Sequence, residues 1–398
     1  MSEKLISLSH DLKKLRDQGL ELEIKHSYLI VHSVPYVNAG GDIAFGALVT
    51  DLNINNERTL KPKDHQVWFT GSFPHFKAGK PIEALRHTDQ PQTLCDDVVS
   101  NHRFSCKPQD DYPDYYEKMT RHVEIIQNPA RAIDPNVTAY TFKPVIGNEE
   151  ESVFLYMDTA SSRYGLTGLS QQCAMNKAAI VGLGGTGSYI LDLIAKTHVK
   201  EIHLIDGDKF VQHNAFRAPG AASLKTLEKM PSKVDYYAGI YSNMRRGIIP
   251  HNTFLDSETI ELLADCDFVF MCVDKPPVRK LAFEFLIDRK IPFIDVGMEL
   301  EYIEEQQCLI GDCRTTLCTP SKTGHLPKRV SVRDTIADDI YDANIQVAEM
   351  NAMNAAFAVV KWKKFCGYYQ DLAQEHHTVY SLNAHGLSRD EMSETEDA

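Results

Sequence analysis

The sequence predicts an α/β protein in two parts: a doubly wound, mostly parallel sheet over residues 161–387, preceded by an α+β domain over residues 1–160. Three observations predict it. Strand-like and helix-like segments alternate after residue 165; a glycine-rich turn joins the first strand of that series to its helix; and before residue 165 short β-like runs are broken by frequent turn signals. A chain of 398 residues also exceeds what one core usually holds.

In the first part, strands are predicted at 28–31 and 67–70, punctuated by Asn38-Ala39-Gly40-Gly41, Lys61-Pro62-Lys63-Asp64 and Gly79-Lys80-Pro81, and a helix over 113–126. In the second, 178–181 is a short apolar strand followed by helical periodicity over 187–196 and a strand at 201–205. A strand at 268–273, a helix over 278–289 and a strand at 292–296 continue the series. A long helix is predicted over 342–364, apolar along Ile345, Ala348, Ala352, Ala355 and Val359. Residues 388–398 carry acids and no large apolar side chain except Met392, and are expected to be disordered.

Composition removes several classes. Hydrophobic content of 43% with 24% charged residues is ordinary for a folded domain. The balance of 42 basic against 55 acidic side chains, a net charge of −13, disfavours nucleic acid as a partner. No apolar run approaches the roughly 20 residues that span a bilayer, and the polar opening is no signal peptide, so a cytoplasmic protein without membrane contact is expected. The nine cysteines are scattered, with no Cys-x-x-Cys pair, which reads as reduced thiols without a structural zinc. His376, His377 and His385 lack ligand spacing and are expected at the surface.

Residues 182–187 read GLGGTG, directly after a strand and opening a helix. Gly182 permits a tight turn, Gly184, followed by Gly185, lets the backbone approach a phosphate, and Gly187 allows close helix–strand packing; phosphates then sit on the unsatisfied N–H groups of the helix N-terminus. Asp206 ends the next strand, where a Rossmann-like fold places the acid that hydrogen-bonds a ribose hydroxyl, though a strand-end turn also wants such a residue. To this point a nicotinamide cofactor and ATP fit equally. Asp208, Asn214 and Arg217 follow within one loop. Arg217 suits charge developing on a departing pyrophosphate, and Asn214 suits a phosphate oxygen.

GLGGTG, then Asp-x-Asp, then Asn-x-x-Arg resembles the ThiF/MoeB and ubiquitin-activating enzyme superfamily. The likeness extends through Pro231-Ser232-Lys233, Cys272-Val273-Asp274 and Ser162-Arg163-Tyr164, and covers roughly residues 160–365. The resemblance implies adenylation of the C-terminal carboxylate of a ubiquitin-like protein with ATP and Mg2+. It also implies that Lys233 contacts phosphates, Asp274 helps hold magnesium, and Arg163 reaches the nucleotide site of the other subunit in a homodimer. Lys275 stands where the family usually has Asn. Read singly, Lys233 is more often a solvated helix residue, while Asp274 is equally a helix N-cap and Arg163 equally a surface ion-pair residue.

Such enzymes pass the acyl group onward, to a cysteine in a mobile segment and a conjugating partner. Residues 311–327, rich in Gly, Pro, Thr and Lys, are expected to be that loop, with Cys318 the leading nucleophile, Cys313 and a hydroxyl such as Ser321 behind it, and a route without a covalent enzyme intermediate left open. A sulfur-carrier-activating enzyme, a nicotinamide-dependent oxidoreductase and an inactive binding scaffold are the rival readings. The first part resembles an uncharacterised domain fused to bacterial ThiF-type enzymes. Its tyrosines, Tyr112, Tyr115 and Tyr116, suggest a protein-recruiting surface, although such tyrosines are more often core residues with a wet hydroxyl.

Overall fold

The computed structural model describes residues 2–55, 58–95, 98–144, 146, 152–164, 166–330 and 345–392. The chain divides into two units, Met1–Ile146 with Met157–Thr167, and Gly147–Tyr156 with Gly168–Ala398. The predicted boundary near residue 160 is therefore interleaved rather than a single point. Its cause is backbone pairing: the Leu155 N–H donates to the Met244 carbonyl at 2.9 Å and the Arg246 N–H to the Val153 carbonyl at 2.8 Å.

In the first unit, helix α1 (His10–Asp17) precedes strands β1 (Leu22–Lys25), β2 (Tyr28–Val37), β3 (Ile43–Asp51), β4 (Gln66–Phe69), β5 (Arg86–Thr88) and β6 (His102–Ser105), and α2 (Tyr115–Arg131) follows them. The six strands pair antiparallel in the order β1-β2-β3-β4-β6-β5. Leu12 and Leu15 of α1 share a core with Met119, Val123 and Ile126 of α2 and with Leu29, Val67 and Phe104 of the sheet. Helix α2 starts later than predicted because Asp114 caps it, accepting the Glu117 N–H at 2.9 Å.

The tyrosines beside that cap do not form a recognition surface. Tyr115 is wholly buried and its hydroxyl accepts the Asn53 N–H at 2.7 Å; the buried Tyr112 donates to the Cys106 carbonyl at 2.8 Å. Half-buried Tyr116 accepts from Gln18 at 2.8 Å under the Lys14 ammonium. These amphipathic rings pin α2 to its neighbours.

The second unit is an eight-stranded sheet built from β7 (Lys177–Val181), β8 (Glu201–Ile205), β9 (Ile248–His251), β10 (Phe268–Met271), β11 (Phe293–Ile303), β12 (Cys308–Cys318), β13 (Glu375–Ser381) and β14 (Gly386–Met392). Their order is β9-β8-β7-β10-β11-β12-β13-β14. The first five are parallel and the rest antiparallel. Alternation sends Phe268 and Phe270 of β10 to one face, against α3 (Gly185–Ile194), α5 (Lys233–Tyr241) and α7 (Ala348–Phe365), and Val269 and Met271 to the other, against α6 (Pro276–Asp288). The crossovers reverse direction between β7 and β10, the switch point where a doubly wound sheet opens a crevice at its strand ends.

The antiparallel edge holds the corrections. The expected mobile loop 311–327 is strand as far as Cys318: β12 pairs with β11 from Phe293↔Cys318 to Ile303↔Cys308, and with β13 on its other side. Thr315 and Thr316, β-branched and wholly or nearly buried, favour the strand that the Gly-Thr composition disguised. The expected disordered tail is likewise ordered in part, since residues 388–392 lie in β14, whose main-chain ladder to β13 needs no apolar side chains; residues 393–398 lie outside the described residues. His376 and His377, expected at the surface, are buried on β13, whereas His385 is exposed. The long helix α7 begins at Ala348, and residues 342–344 of its predicted span are outside the described residues. Among the described residues no helix is long and apolar enough to cross a membrane.

Candidate active site

The glycine turn leaves β7 at the switch point. Gly182 adopts φ +89, a left-handed conformation that strains any other residue, and a Cβ there meets the Cys272 carbonyl oxygen at 2.7 Å. A Cβ on Gly187 drives into the Gly182 carbonyl, so the first turn of α3 closes on the strand only with glycine. Gly184, by contrast, faces open space: a Cβ there meets nothing within 4 Å. At Gly185 a Cβ collides with the Asn351 amide, and the Thr186 hydroxyl donates to Asn351 Oδ1 at 2.9 Å, so this glycine also lets α7 press against α3.

Asp206 is nearly buried and both of its oxygens are engaged. Oδ2 accepts the Leu183 N–H at 2.6 Å, clamping the glycine turn, and Oδ1 accepts the Asp208 N–H at 2.8 Å. Lys233, at the start of α5, is also buried, with Nζ 2.7 Å from Asp208 Oδ2 and 3.5 Å from Asp206 Oδ2. It is therefore neither a loop residue nor a solvated one. Its helix is capped by Ser232, whose Oγ accepts the Asp235 N–H at 3.1 Å. The loop after β8 carries the short helix α4 (Gln212–Ala215). Asn214 Oδ1 accepts the Val211 N–H at 2.9 Å, which orients the side chain with its amide donors still available to a ligand. Arg217, one turn on, is half-buried; its Nε is buried without an acceptor and no carboxylate pairs with it among the described residues.

Asp274 follows β10 and is exposed, on the rim of a small cleft. The residues lining the cleft include Gly184, Gly185 and Thr186 of the glycine turn together with Gly297, Gln346 and Asn354. The structure thus brings Asp274 to the glycine turn and gathers Asp206, Asp208 and Lys233 around the turn's base. Arg163 belongs to the first unit, where it is exposed at the end of the helix Thr159–Arg163.

Cys318 and Cys313 do not match their nomination. Both are 1% exposed, and burial pushes each thiol up to about 12. Cys318 Sγ lies 3.9 Å from His325 Nε2, which meets the Leu317 carbonyl at 3.0 Å. A protonated, enclosed thiol is a small core side chain, and at Cys318 the Asp295 carboxylate adds to the effect of burial. Ser321 shares a 3.0 Å hydrogen bond with Thr319.

Sequence reasoning missed Asn351 and Asn354. Their i, i+3 spacing with Ala355 and Ala358 puts them on the buried stripe of α7, and polar residues on such a stripe were the available signal. It also missed Asp295, fully buried under the cleft between Arg314 at 2.7 Å and Arg279 at 3.3 Å.

A doubly wound sheet with a glycine turn at its switch point, a clamping acid and lysine behind the turn, and an acid on the cleft rim has the layout of a Rossmann-like α/β fold. The chain belongs to the ThiF family, whose model matches residues 159–383, and its fold is the ThiF-like adenylyltransferase fold. Residues 10–159 match a domain of unknown function, DUF6791. Among solved structures, PaaA shares 17% identity over 59% of this chain and 81% of its own, with a TM-score of 0.46. MccB of E. coli solved with ATP shares 16% over 60% of this chain and 71% of its own, with a TM-score of 0.45. The same protein with MccA-N7isoASN gives 17%, 60%, 71% and 0.48. No curated protein matches the chain.

Proposed function

We propose that this chain is an ATP-dependent adenylyltransferase that activates the C-terminal carboxylate of a ubiquitin-like protein and passes the acyl group towards a conjugating partner. The observation that carries the reading is Arg217: a guanidinium with a buried, unsatisfied Nε and no carboxylate partner among the described residues is a group awaiting an anion. In the reaction a carboxylate oxygen attacks the α-phosphorus, the bond to pyrophosphate breaks, and an acyl adenylate forms. The N–H groups at the start of α3, beside the open space at Gly184, bind phosphate oxygens. Lys233 and Arg217 neutralise the charge that moves onto pyrophosphate.

Asp274 suits Mg2+, because its exposed carboxylate has no hydrogen bond or ion pair among the described residues and hard cations prefer oxygen; that ion, when bound, supplies further charge neutralisation. Asp206 holds the turn through the Leu183 N–H and keeps acceptor capacity for a ribose hydroxyl. Arg163 is assigned to the partner subunit's site in a homodimer. Cys318 and Cys313 receive no acyl group, so the adenylate is handed on without an enzyme thioester at either.

The test is pyrophosphate exchange into ATP by the full chain. Carboxylate-dependent exchange that is lost in Arg217→Ala supports the reading. Exchange that survives Arg217→Ala unchanged removes Arg217 from it.

A further inference from the structure

Two sets of residues that line the cleft have opposite hydrogen-bonding character. One is the first turn of α3, whose N–H groups have no partner within the helix and favour anions. The other is a pair of amide side chains that present oxygen. Asn354 is completely buried, and its Nδ2 donates to the Gly297 carbonyl at 3.0 Å. That bond fixes the amide's orientation, because only the NH2 end can face a carbonyl. Its Oδ1 is left buried with no donor among the described residues, and so is Gln346 Oε1. The cation in this lining, Arg279, is ion-paired with Asp295 at 3.3 Å and donates to the Val296 carbonyl at 3.3 Å, while its Nε has no hydrogen-bond acceptor.

Buried acceptors without donors are uncommon in folded proteins and point to a missing partner. That partner has to bring N–H groups. Phosphate and carboxylate oxygens, being acceptors themselves, cannot satisfy these two atoms. A substrate whose carboxylate reaches the nucleotide therefore lays donors along Asn354 and Gln346 a short distance behind its reacting end. Resting on the adenylation reading above, we propose that Asn354 and Gln346 form an acceptor subsite that reads backbone N–H groups next to the C-terminal carboxylate of a peptide chain. The subsite selects peptide C-termini over fatty, aromatic and other acids that carry no donor there.

The experiment compares pyrophosphate exchange by the full chain with acetylated alanyl-glycyl-glycine and with its depsipeptide twin, in which an ester oxygen replaces the terminal amide N–H. Wild type is expected to favour the amide by about tenfold to a hundredfold in kcat/KM, the usual effect of leaving a buried acceptor unpaired. Gln346→Met and Asn354→Leu should each pull that ratio towards one while leaving the KM for ATP unchanged. Because the ratio is taken within each variant, a general loss of activity cancels. Asn354→Leu also cuts the tie to Gly297, so Gln346→Met carries the test if Asn354→Leu does not fold. Equal kcat/KM for amide and ester in wild type, or an undiminished ratio in Gln346→Met, overturns the subsite alone. Exchange with benzoate but with neither peptide, or with no acid at all, overturns the proposed function and the subsite with it.

Discussion

The parallel and antiparallel halves of the second unit's sheet use polar residues in opposite ways. β10 is apolar and buried along its whole length, β7 is so after its first residue, and the charged groups of the site sit beyond their ends. β12 and β13 instead bury polar side chains inside the ladder. Arg314 reaches Asp295 at 2.7 Å and Thr316 at 3.3 Å, and the Thr316 hydroxyl lies 3.0 Å from His377 Nδ1. A parallel strand covered by helices on both faces has little option but hydrophobicity. An interior antiparallel strand can satisfy its polar groups within a network, and then composition no longer marks it as a strand. The first half is built to present chemistry at its edge. The second encloses chemistry-bearing residues as structure.

The sharpest way to break that comparison is to remove a charge at the edge of the parallel half. Asp274→Ala and Arg217→Ala should each slow pyrophosphate exchange by about a hundredfold, close to 3 kcal/mol of barrier, with unchanged thermal unfolding. Exchange within twofold of wild type in both would place the chemistry elsewhere.

The next effect lies in the antiparallel half and depends on pH. Burial, helped by Arg329 and Arg314, pushes the His377 imidazole down to about 4. An unfolded histidine titrates near pH 6.5, so between about 6.5 and 4 the unfolded chain takes up a proton that the folded strand refuses. Stability should therefore fall as pH drops through this window, by about 1–2 kcal/mol after allowing for solvent screening. Hydrogen-exchange protection of β12 and β13 should decline accordingly, and His377→Gln should flatten the decline. A pH-independent profile in wild type would mean that the ring is solvated.

Smaller again, Cys318→Ala should cost about 1 kcal/mol of stability and leave exchange near normal, since the thiol is core. Rapid alkylation of Cys318 in the folded protein, or lost exchange in the variant, would return it to the mechanism. The smallest expected change is Asp208→Asn. Its carboxylate is largely exposed, so its ion pair with Lys233 should be worth only about 0.5 kcal/mol, read from the denaturation midpoint.

The same contrast explains what was legible. The series of strands and helices around GLGGTG was readable because apolar runs, a glycine turn and Asp206 obey local rules. The α6 helix began within two residues of expectation, with Pro276 at its first turn. Cys318 was misjudged because its neighbours Thr315, Thr316 and Lys322 read as a polar loop, whereas pairing on both sides of β12 is a long-range fact. Asp206 showed its position but not its duty, since the Leu183 N–H it holds comes from 23 residues earlier. Asn354 was hidden in a helix whose apolar face was drawn through Ala352 instead.

The interleaving of the two units along the chain has a consequence for the order of synthesis. Residues 152–155 bond to residues 244–246, with the Arg246 guanidinium reaching the Ser152 carbonyl 94 positions earlier at 3.2 Å. Residues 157–167, made immediately afterwards, group with the first unit, where Lys13 donates to the Arg163 carbonyl at 2.6 Å. On the ribosome the first unit can therefore close around a segment that is still waiting for its partner. At about 5–20 residues per second the wait lasts roughly 5 to 20 seconds. Over that interval the short stretch carrying Phe154 is a bare edge, and a nascent chain halted before Arg246 should hold it open to protease while the first unit is already resistant.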